Sequence, residues 1–397
     1  MRQPAHGGNL AWAAALAGCP RDAILDFSAS ISPLGPPNSA IAAIQSQLGN
    51  IRHYPDPNYS ELRLALSHFH QLPPEWILPG NGSAELLTLA GRELAELAAT
   101  VLITPAFGDY YRTLSAYNAK VLECPLSLGI GFGEQEAPEK STSLVKLFGE
   151  PSQEHLADLS FLLDKRQTEK SIDASAGSHS SIYRLSGTND KALLLNNPNN
   201  PTGKLFSRDS ILPYLEQFAL VVVDEAFMDF VTPNEEQSLI SVVQEYANLV
   251  ILRSLTKFYS LPGLRLGYAI AHPDRLSKWQ LWRDPWPVNT LAAAAAIAVL
   301  QDTEFQEQSW KWLPPARNQL FHGLASIPGL QPQESAANFL LVESQQSTLQ
   351  LQQQLLKDHQ ILIRDCLSFK ELGDRFFRIA VRSESDNQRL LKALKES

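Results

Sequence analysis

Three cysteines in 397 residues, Cys19, Cys124 and Cys366, lie too far apart to set up a disulfide framework or a thiolate metal site. Their scarcity points to a reducing compartment and predicts a cytoplasmic protein with no bound metal. Basic residues are in deficit as well. The 33 Lys and Arg stand against 42 Asp and Glu, a net charge of −9, which argues against general affinity for nucleic acid or an anionic membrane. No apolar run approaches membrane-spanning length. The N-terminus, MRQPAHGGNLAWAAALAGCP, holds Arg2 and Cys19 as a signal or lipoprotein peptide would, but His6 to Asn9 interrupt it. Its apolar part is short and alanine-rich, so a short amphipathic helix is expected there. What the chain has in quantity is hydrophobic residues, 44%, enough for a large core and two domains.

Apolar runs of strand length recur through the middle: Thr100–Ile103, Ala192–Leu195, Leu220–Val223, Leu249–Leu252 and Leu266–Ala271. Helix-like patterns such as Ala84–Leu97 separate several of them. Short, near-continuous apolar strands alternating with helices predict an α/β fold with a parallel sheet covered on both faces. The last hundred residues read as a smaller α+β unit, with strands at Asn338–Val342, Ile361–Arg364 and Phe376–Val381 and helices at Thr348–Asp358 and Asp386–Lys395. The expected organisation is an N-terminal arm, 1–50, joining the small domain; a large domain, 51–290; and the small domain, 291–397. Between about 126 and 190 the chain is mostly polar, apart from an amphipathic helix expected at Leu156–Leu163. This stretch reads as a surface insertion, partly mobile, serving as a linker or a lid.

Ligand sites in open parallel sheets lie beyond the carboxyl ends of the strands, so the residues that follow each run matter most. Leu220–Val223 is followed by Asp224, a carboxylate at the sheet rim that could also be a helix N-cap. Ala192–Leu195 runs into Asn196-Asn-Pro-Asn-Asn-Pro-Thr-Gly203, a turn-rich loop with two Asn-Pro steps. Ile77–Leu78 leads through Pro79-Gly-Asn to Gly82 and Ser83 at the start of a helix, where free N–H groups and the helix dipole suit an anion. Thr100–Ile103 is followed by Phe107, and Leu249–Leu252 by Ser254-Leu-Thr-Lys257. A lysine behind a buried strand is costly unless its charge is suppressed. Amine, carboxylate, amide, aromatic plate and anion cradle on one rim suit a phosphorylated aromatic aldehyde, pyridoxal 5′-phosphate (PLP). Lys257 forms the Schiff base and Asp224 pairs with the ring nitrogen. Gly82, Ser83, Ser254 and Arg265 hold the phosphate.

Four stretches, Asn199-Asn-Pro-Thr-Gly203, Asp224-Glu-Ala-Phe227, Ser254-Leu-Thr-Lys257 and Gly263-Leu-Arg-Leu-Gly267, resemble the motif set of the fold-type I aminotransferases, in order and over nearly the whole chain. The resemblance implies a mostly parallel, seven-stranded-type sheet sandwiched by helices, and a homodimer with shared active sites. It assigns Lys257 as the Schiff-base lysine, Asp224 as the pyridinium partner, Asn200 to the ring hydroxyl and Phe107 to the ring face. Arg265 and Ser254 go to the phosphate, and Tyr54 to the phosphate of the neighbouring subunit. Within this superfamily His6-Gly-Gly-Asn9, Asp26-Phe-Ser-Ala29, Pro33-Leu-Gly35 and Ile363-Arg-Asp-Cys366 are similar to the threonine-phosphate decarboxylases, whose nearest relatives are the histidinol-phosphate aminotransferases. That resemblance implies O-phospho-L-threonine as substrate, with Arg378 on its α-carboxylate and Arg364, His6 and Gly7 on its phosphate. Arginines beside apolar strands need anions, whether from a substrate or from a structural salt bridge. The chain departs from the pattern at Ser30 and Ser32, where decarboxylases carry asparagine. A contact from Ser30 is therefore shorter and leaves room for water or for a related substrate such as serine phosphate. Three activities follow as expectations: decarboxylation of phosphothreonine for cobalamin biosynthesis, transamination of a phosphorylated compound such as histidinol phosphate, or PLP binding without turnover in a regulator. The last is disfavoured by the acidic charge and by the lack of a recognisable DNA-binding segment.

Overall fold

The computed structural model of the protein describes residues 7–126, 156–157 and 190–397. Its strands are β1 (Leu25–Asp26), β2 (Ile77–Asn81), β3 (Ala99–Thr104), β4 (Val121–Pro125), β5 (Leu156–Ala157), β6 (Lys191–Asn196), β7 (Leu205–Phe206) and β8 (Leu220–Asp224). They continue with β9 (Leu249–Ser254), β10 (Leu266–Ala271), β11 (Leu330–Pro332), β12 (Phe339–Ser344), β13 (Ile361–Leu362), β14 (Arg364–Asp365) and β15 (Phe376–Ala380). Seven form one sheet in the order β2-β10-β9-β8-β6-β3-β4. It is mostly parallel; β10 alone runs against its neighbours, β9 and β2.

The runs in this sheet are apolar without alternation because both faces are covered. Leu194, Val222, Val250 and Leu252 turn to one side, where they pack with helices Gly82–Leu94, Gly108–Ala116 and Pro273–Gln280. Leu193, Leu195, Val221, Val223 and Ile251 turn to the other, against helices Ser60–His70, Arg208–Leu215 and Thr290–Leu300. Leu194 is fully buried. Leu194→Ala is expected to cost about 2–5 kcal/mol of unfolding free energy, seen as a lower denaturation midpoint; a loss well under about 1 kcal/mol would mean that this face is not close-packed.

Three local expectations change. The apolar run Ile77–Leu78 continues as strand through Pro79-Gly-Asn81, the end of β2, with Pro79 opposite Tyr268 and Asn81 opposite Leu266. β2 is the sheet's edge, and an edge strand tolerates a proline. The single strand expected at Ile361–Arg364 divides at Ile363. β13 pairs in parallel with β1 of the N-terminal segment, while β14 joins an antiparallel sheet of order β11-β12-β15-β14. Leu156–Ala157, expected to open a helix, is a strand parallel to β7. The rest of that expected helix, and the polar stretches 127–155 and 158–189, lie outside the described residues. Among the described residues no helix is long and apolar enough to cross a membrane.

Candidate active site

Parallel strands end on one side of a sheet. β6 and β8 end there together, with Asn196 in register opposite Asp224, and β9 and β3 end there at Ser254 and Thr104. β10, being antiparallel, begins where they end. Gly267 sits opposite Ser254, so Arg265 arrives at the same rim. β2 then leaves beside it, Asn81 opposite Leu266, and delivers Gly82 and Ser83. The reversed strand thus brings the arginine to the carboxylate and the lysine, while β2, running with the other strands, brings the helix N-terminus there. One cavity results, lined by Ser83, Phe107, Asn200, Asp224, Ser254, Lys257 and Arg265 together with Gly7, Ser30, Arg364 and Arg378. Three expected residues are not among its walls, the first being Gly82, which directly precedes Ser83. His6 lies outside the described residues. Tyr54 is 80% exposed and stacks on Trp286, ring centroids 4.6 Å apart.

The asparagines of the Asn196–Gly203 loop shape it with their side chains. Asn196 Nδ2 donates to Asp224 O (2.6 Å), and Asn196 Oδ1 accepts from the backbone N–H of Asn200 (2.7 Å). This fastens the loop to the end of β8 and leaves Asn200 on the cavity wall. Asp224 caps no α-helix. Its Oδ1 accepts from the Ala226 N–H (3.0 Å) and its Oδ2 from the phenol of Tyr110 (2.9 Å). Burial raises the pKa of Asp224, opposed by those two donors and by the charge of Lys257.

Lys257 is half-buried and faces the cavity. Desolvation, with the charges of Arg378 and Arg265, brings its amine down to about 8; Asp224 pulls the other way. The turn that carries it is tied to the Ser32 backbone, which donates to Lys257 O (3.1 Å) and accepts from Ser260 Oγ (2.7 Å).

Opposite the amine, two glycines let an anion cradle form. Gly82 opens helix Gly82–Leu94 at φ 74°, and a Cβ there would lie 2.5 Å from Arg265 Nη2. A Cβ at Gly267 would lie 2.5 Å from the Ser83 amide nitrogen. Arg265, itself at φ 57°, therefore lies over a helix N-terminus whose amides point outward, beside the hydroxyls of Ser254 and Thr256, 2.7 Å apart.

Beyond the amine stand two arginines. Arg364 and Arg378 are directly opposed across β14 and β15, and both are buried. Like charges so placed repel. Desolvation and Arg364 bring Arg378 down to about 10. Arg378 donates to neutral oxygens, Asn200 Oδ1 at 2.5 Å and Ser28 O at 3.0 Å, while its Nε has no hydrogen-bond partner among the described residues. Arg364 donates to Ser368 Oγ (2.7 Å) and lies 3.5 Å from Asp365. Two buried guanidinium groups opposed on the wall of a cavity suit an anionic ligand.

The sequence reading did not find Tyr110, Thr256 and Ser368. Thr256 could have been read from the hydroxyls that flank Lys257. Tyr110 and Ser368 carry no local signal.

A buried carboxylate with lone pairs to spare, an amine whose charge is suppressed, an aromatic ring and an anion cradle meet in one cavity. These residues fit PLP. A model of the aminotransferase class I and II family matches residues 157–394, more than half of the chain. A threonine-phosphate decarboxylase of Salmonella typhimurium is 33% identical over 98% of this chain and 96% of its own length. A histidinol-phosphate aminotransferase of Mannheimia succiniciproducens is 30% identical over 94% of this chain and 89% of its own. Among solved structures, the histidinol-phosphate aminotransferase of Sinorhizobium meliloti in complex with pyridoxal 5′-phosphate superposes with a TM-score of 0.77 at 22% identity, covering 98% of this chain and 94% of that one. The chain belongs to the aminotransferase class I and II family, whose cofactor is pyridoxal 5′-phosphate.

Proposed function

We propose that this enzyme decarboxylates O-phospho-L-threonine to (R)-1-aminopropan-2-yl phosphate, a step serving cobalamin biosynthesis, in the cytoplasm. The observation that carries the reading is the opposed pair Arg364 and Arg378 on the wall shared with Lys257: two cationic anchors for a substrate with two anionic ends. The likeness to the Salmonella decarboxylase over nearly the full length of both chains supports it.

When bound, the cofactor supplies an electron sink for the charge left at the substrate Cα. The residues around it bind and orient. Asp224 holds the ring nitrogen, Asn200 the ring hydroxyl and Phe107 the ring face. Ser83, Ser254, Thr256 and Arg265 grip its phosphate together with the Gly82 amide. Lys257 would hold the cofactor through its amine until the substrate's amine takes its place; the freed Lys257, or water, would then donate the proton that replaces CO2 at Cα. Arg378 takes the α-carboxylate. Arg364, steadied by Ser368, takes the substrate phosphate with Gly7 and His6 near by, and Ser30 faces the same space. Two fixed ends set which bond at Cα stands perpendicular to the ring plane, and that choice separates losing CO2 from losing a proton.

The site lies between a large unit, 51–290, and a small one, 291–397, to which the arm 1–50 is joined through the pairing of β1 with β13. Leu48, Ile51 and Tyr54 are exposed, as are Leu281 and Trp286, the latter stacked on Tyr54. A partner subunit would cover such a surface, and in the homodimer Tyr54 reaches the partner's cofactor phosphate.

Transamination of histidinol phosphate is the second reading, favoured by the likeness to the Mannheimia enzyme. Purified protein given O-phospho-L-threonine is expected to release CO2 with no keto acid present. Turnover of histidinol phosphate that requires 2-oxoglutarate, without CO2, would replace the first reading by the second. A loaded cofactor with no turnover on either compound would leave a non-catalytic regulator.

A further inference from the structure

The phenol of Tyr110 has no part in the reading above, yet it touches the carboxylate assigned to the cofactor's ring nitrogen. Helix Gly108–Ala116 starts directly after Phe107 and carries Tyr110 in its first turn. The two rings meet edge to face, centroids 5.9 Å apart at 88°. One rigid unit therefore presents a plate for the ring and a hydroxyl for the carboxylate. Tyr110 is 1% exposed, and its Oη lies 2.9 Å from Asp224 Oδ2. Among the described residues it is the only side chain that donates to the Asp224 carboxylate; the other donor to that carboxylate is the Ala226 backbone.

A proton shared between a buried carboxylate and a ring nitrogen rests on whichever is more basic. Burial makes Asp224 more basic, and donors to its charged form make it less so. The phenol stays protonated, since burial and the neighbouring Asp224 push its pKa well above the ordinary tyrosine range. We propose that Tyr110 is a positioning residue that keeps this proton on the cofactor nitrogen, by holding Asp224 Oδ2 as an ionised acceptor. The proposal rests on Asp224 facing that nitrogen, and is independent of which substrate the enzyme takes.

The test uses full-length enzyme loaded with PLP carrying 15N in the ring, and it adds no substrate. Wild-type protein is expected to show the resonance of a protonated pyridine nitrogen. In Tyr110→Phe the resonance is expected to move towards the unprotonated position, and cofactor release should speed up roughly tenfold. An unchanged resonance in Tyr110→Phe, even with a lowered Tm, would reduce Tyr110 to packing and overturn the proposal. Asp224→Asn is expected to shift the resonance further; no shift there would remove Asp224 from the ring nitrogen and the proposal with it. Neither result depends on phosphothreonine being the substrate. If Tyr110→Phe fails to fold, 3-fluorotyrosine placed at position 110 alone keeps the ring and strengthens the donor. Slower cofactor release would then support the proposal, and an unchanged rate would overturn it.

Discussion

Lys257→Ala is expected to abolish covalent retention of the cofactor and to lower decarboxylation of O-phospho-L-threonine by at least about 10³-fold, since it removes both the attachment point and the group that moves the proton. The absorbance band of the lysine-linked cofactor is expected to disappear in the same variant. The wild-type amine adds a signed pH dependence. Its pKa is lowered from the ordinary lysine value to about 8, and only the neutral amine is a nucleophile. Reconstitution of cofactor-free protein with PLP is therefore expected to accelerate as pH rises through about 8, where an ordinary lysine would keep accelerating about two pH units further. The cause is testable in place. Desolvation is the largest contribution, and Arg378 and Arg265 add to it. Substantial turnover by Lys257→Ala would overturn the role given to this residue.

Arg364→Ala is expected to cost about 1.5–3 kcal/mol with O-phospho-L-threonine, roughly 10- to 150-fold in kcat/KM, and to leave unphosphorylated threonine nearly unaffected. The asymmetry comes from the sheet. β14 and β15 set Arg364 directly opposite Arg378, and the proposed function gives each guanidinium its own end of the substrate. Arg378 already spends donors on Asn200 and Ser28, which keeps it near the cofactor side. Arg364 is braced by Ser368 on the loop that follows β14. Equal losses on the phosphorylated and unphosphorylated compounds would mean that Arg364 does not read the phosphate.

Much of this site was legible because its chemistry sits where strands stop. Asn196, Asp224 and Ser254 close apolar runs, and Lys257 follows three residues after the last of these. A buried parallel strand leaves a short apolar stretch that composition alone reveals. Strand direction leaves no such trace. Leu266–Ala271 reads like its parallel neighbours, since both of its faces are covered too, although it runs the other way. The β2 extension was hidden for a related reason. Pro79 and Gly80 interrupt the apolar run, and only their place at the sheet edge lets them continue the strand. Cross-strand register pairs Arg364 with Arg378 across a gap that sequence spacing cannot measure. Tyr110 was masked by its company. On a helix with Leu114 it reads as one more buried apolar position, and its hydroxyl matters only because helix Gly108–Ala116 lies against the end of β8.

The most direct test of the whole account is to reduce the PLP-loaded enzyme with sodium borohydride and map the modified peptide by mass spectrometry. The pyridoxyl mass is expected on Lys257 alone, and to vanish in Lys257→Ala. Label on another lysine, or none on a protein that carries bound cofactor, would contradict it.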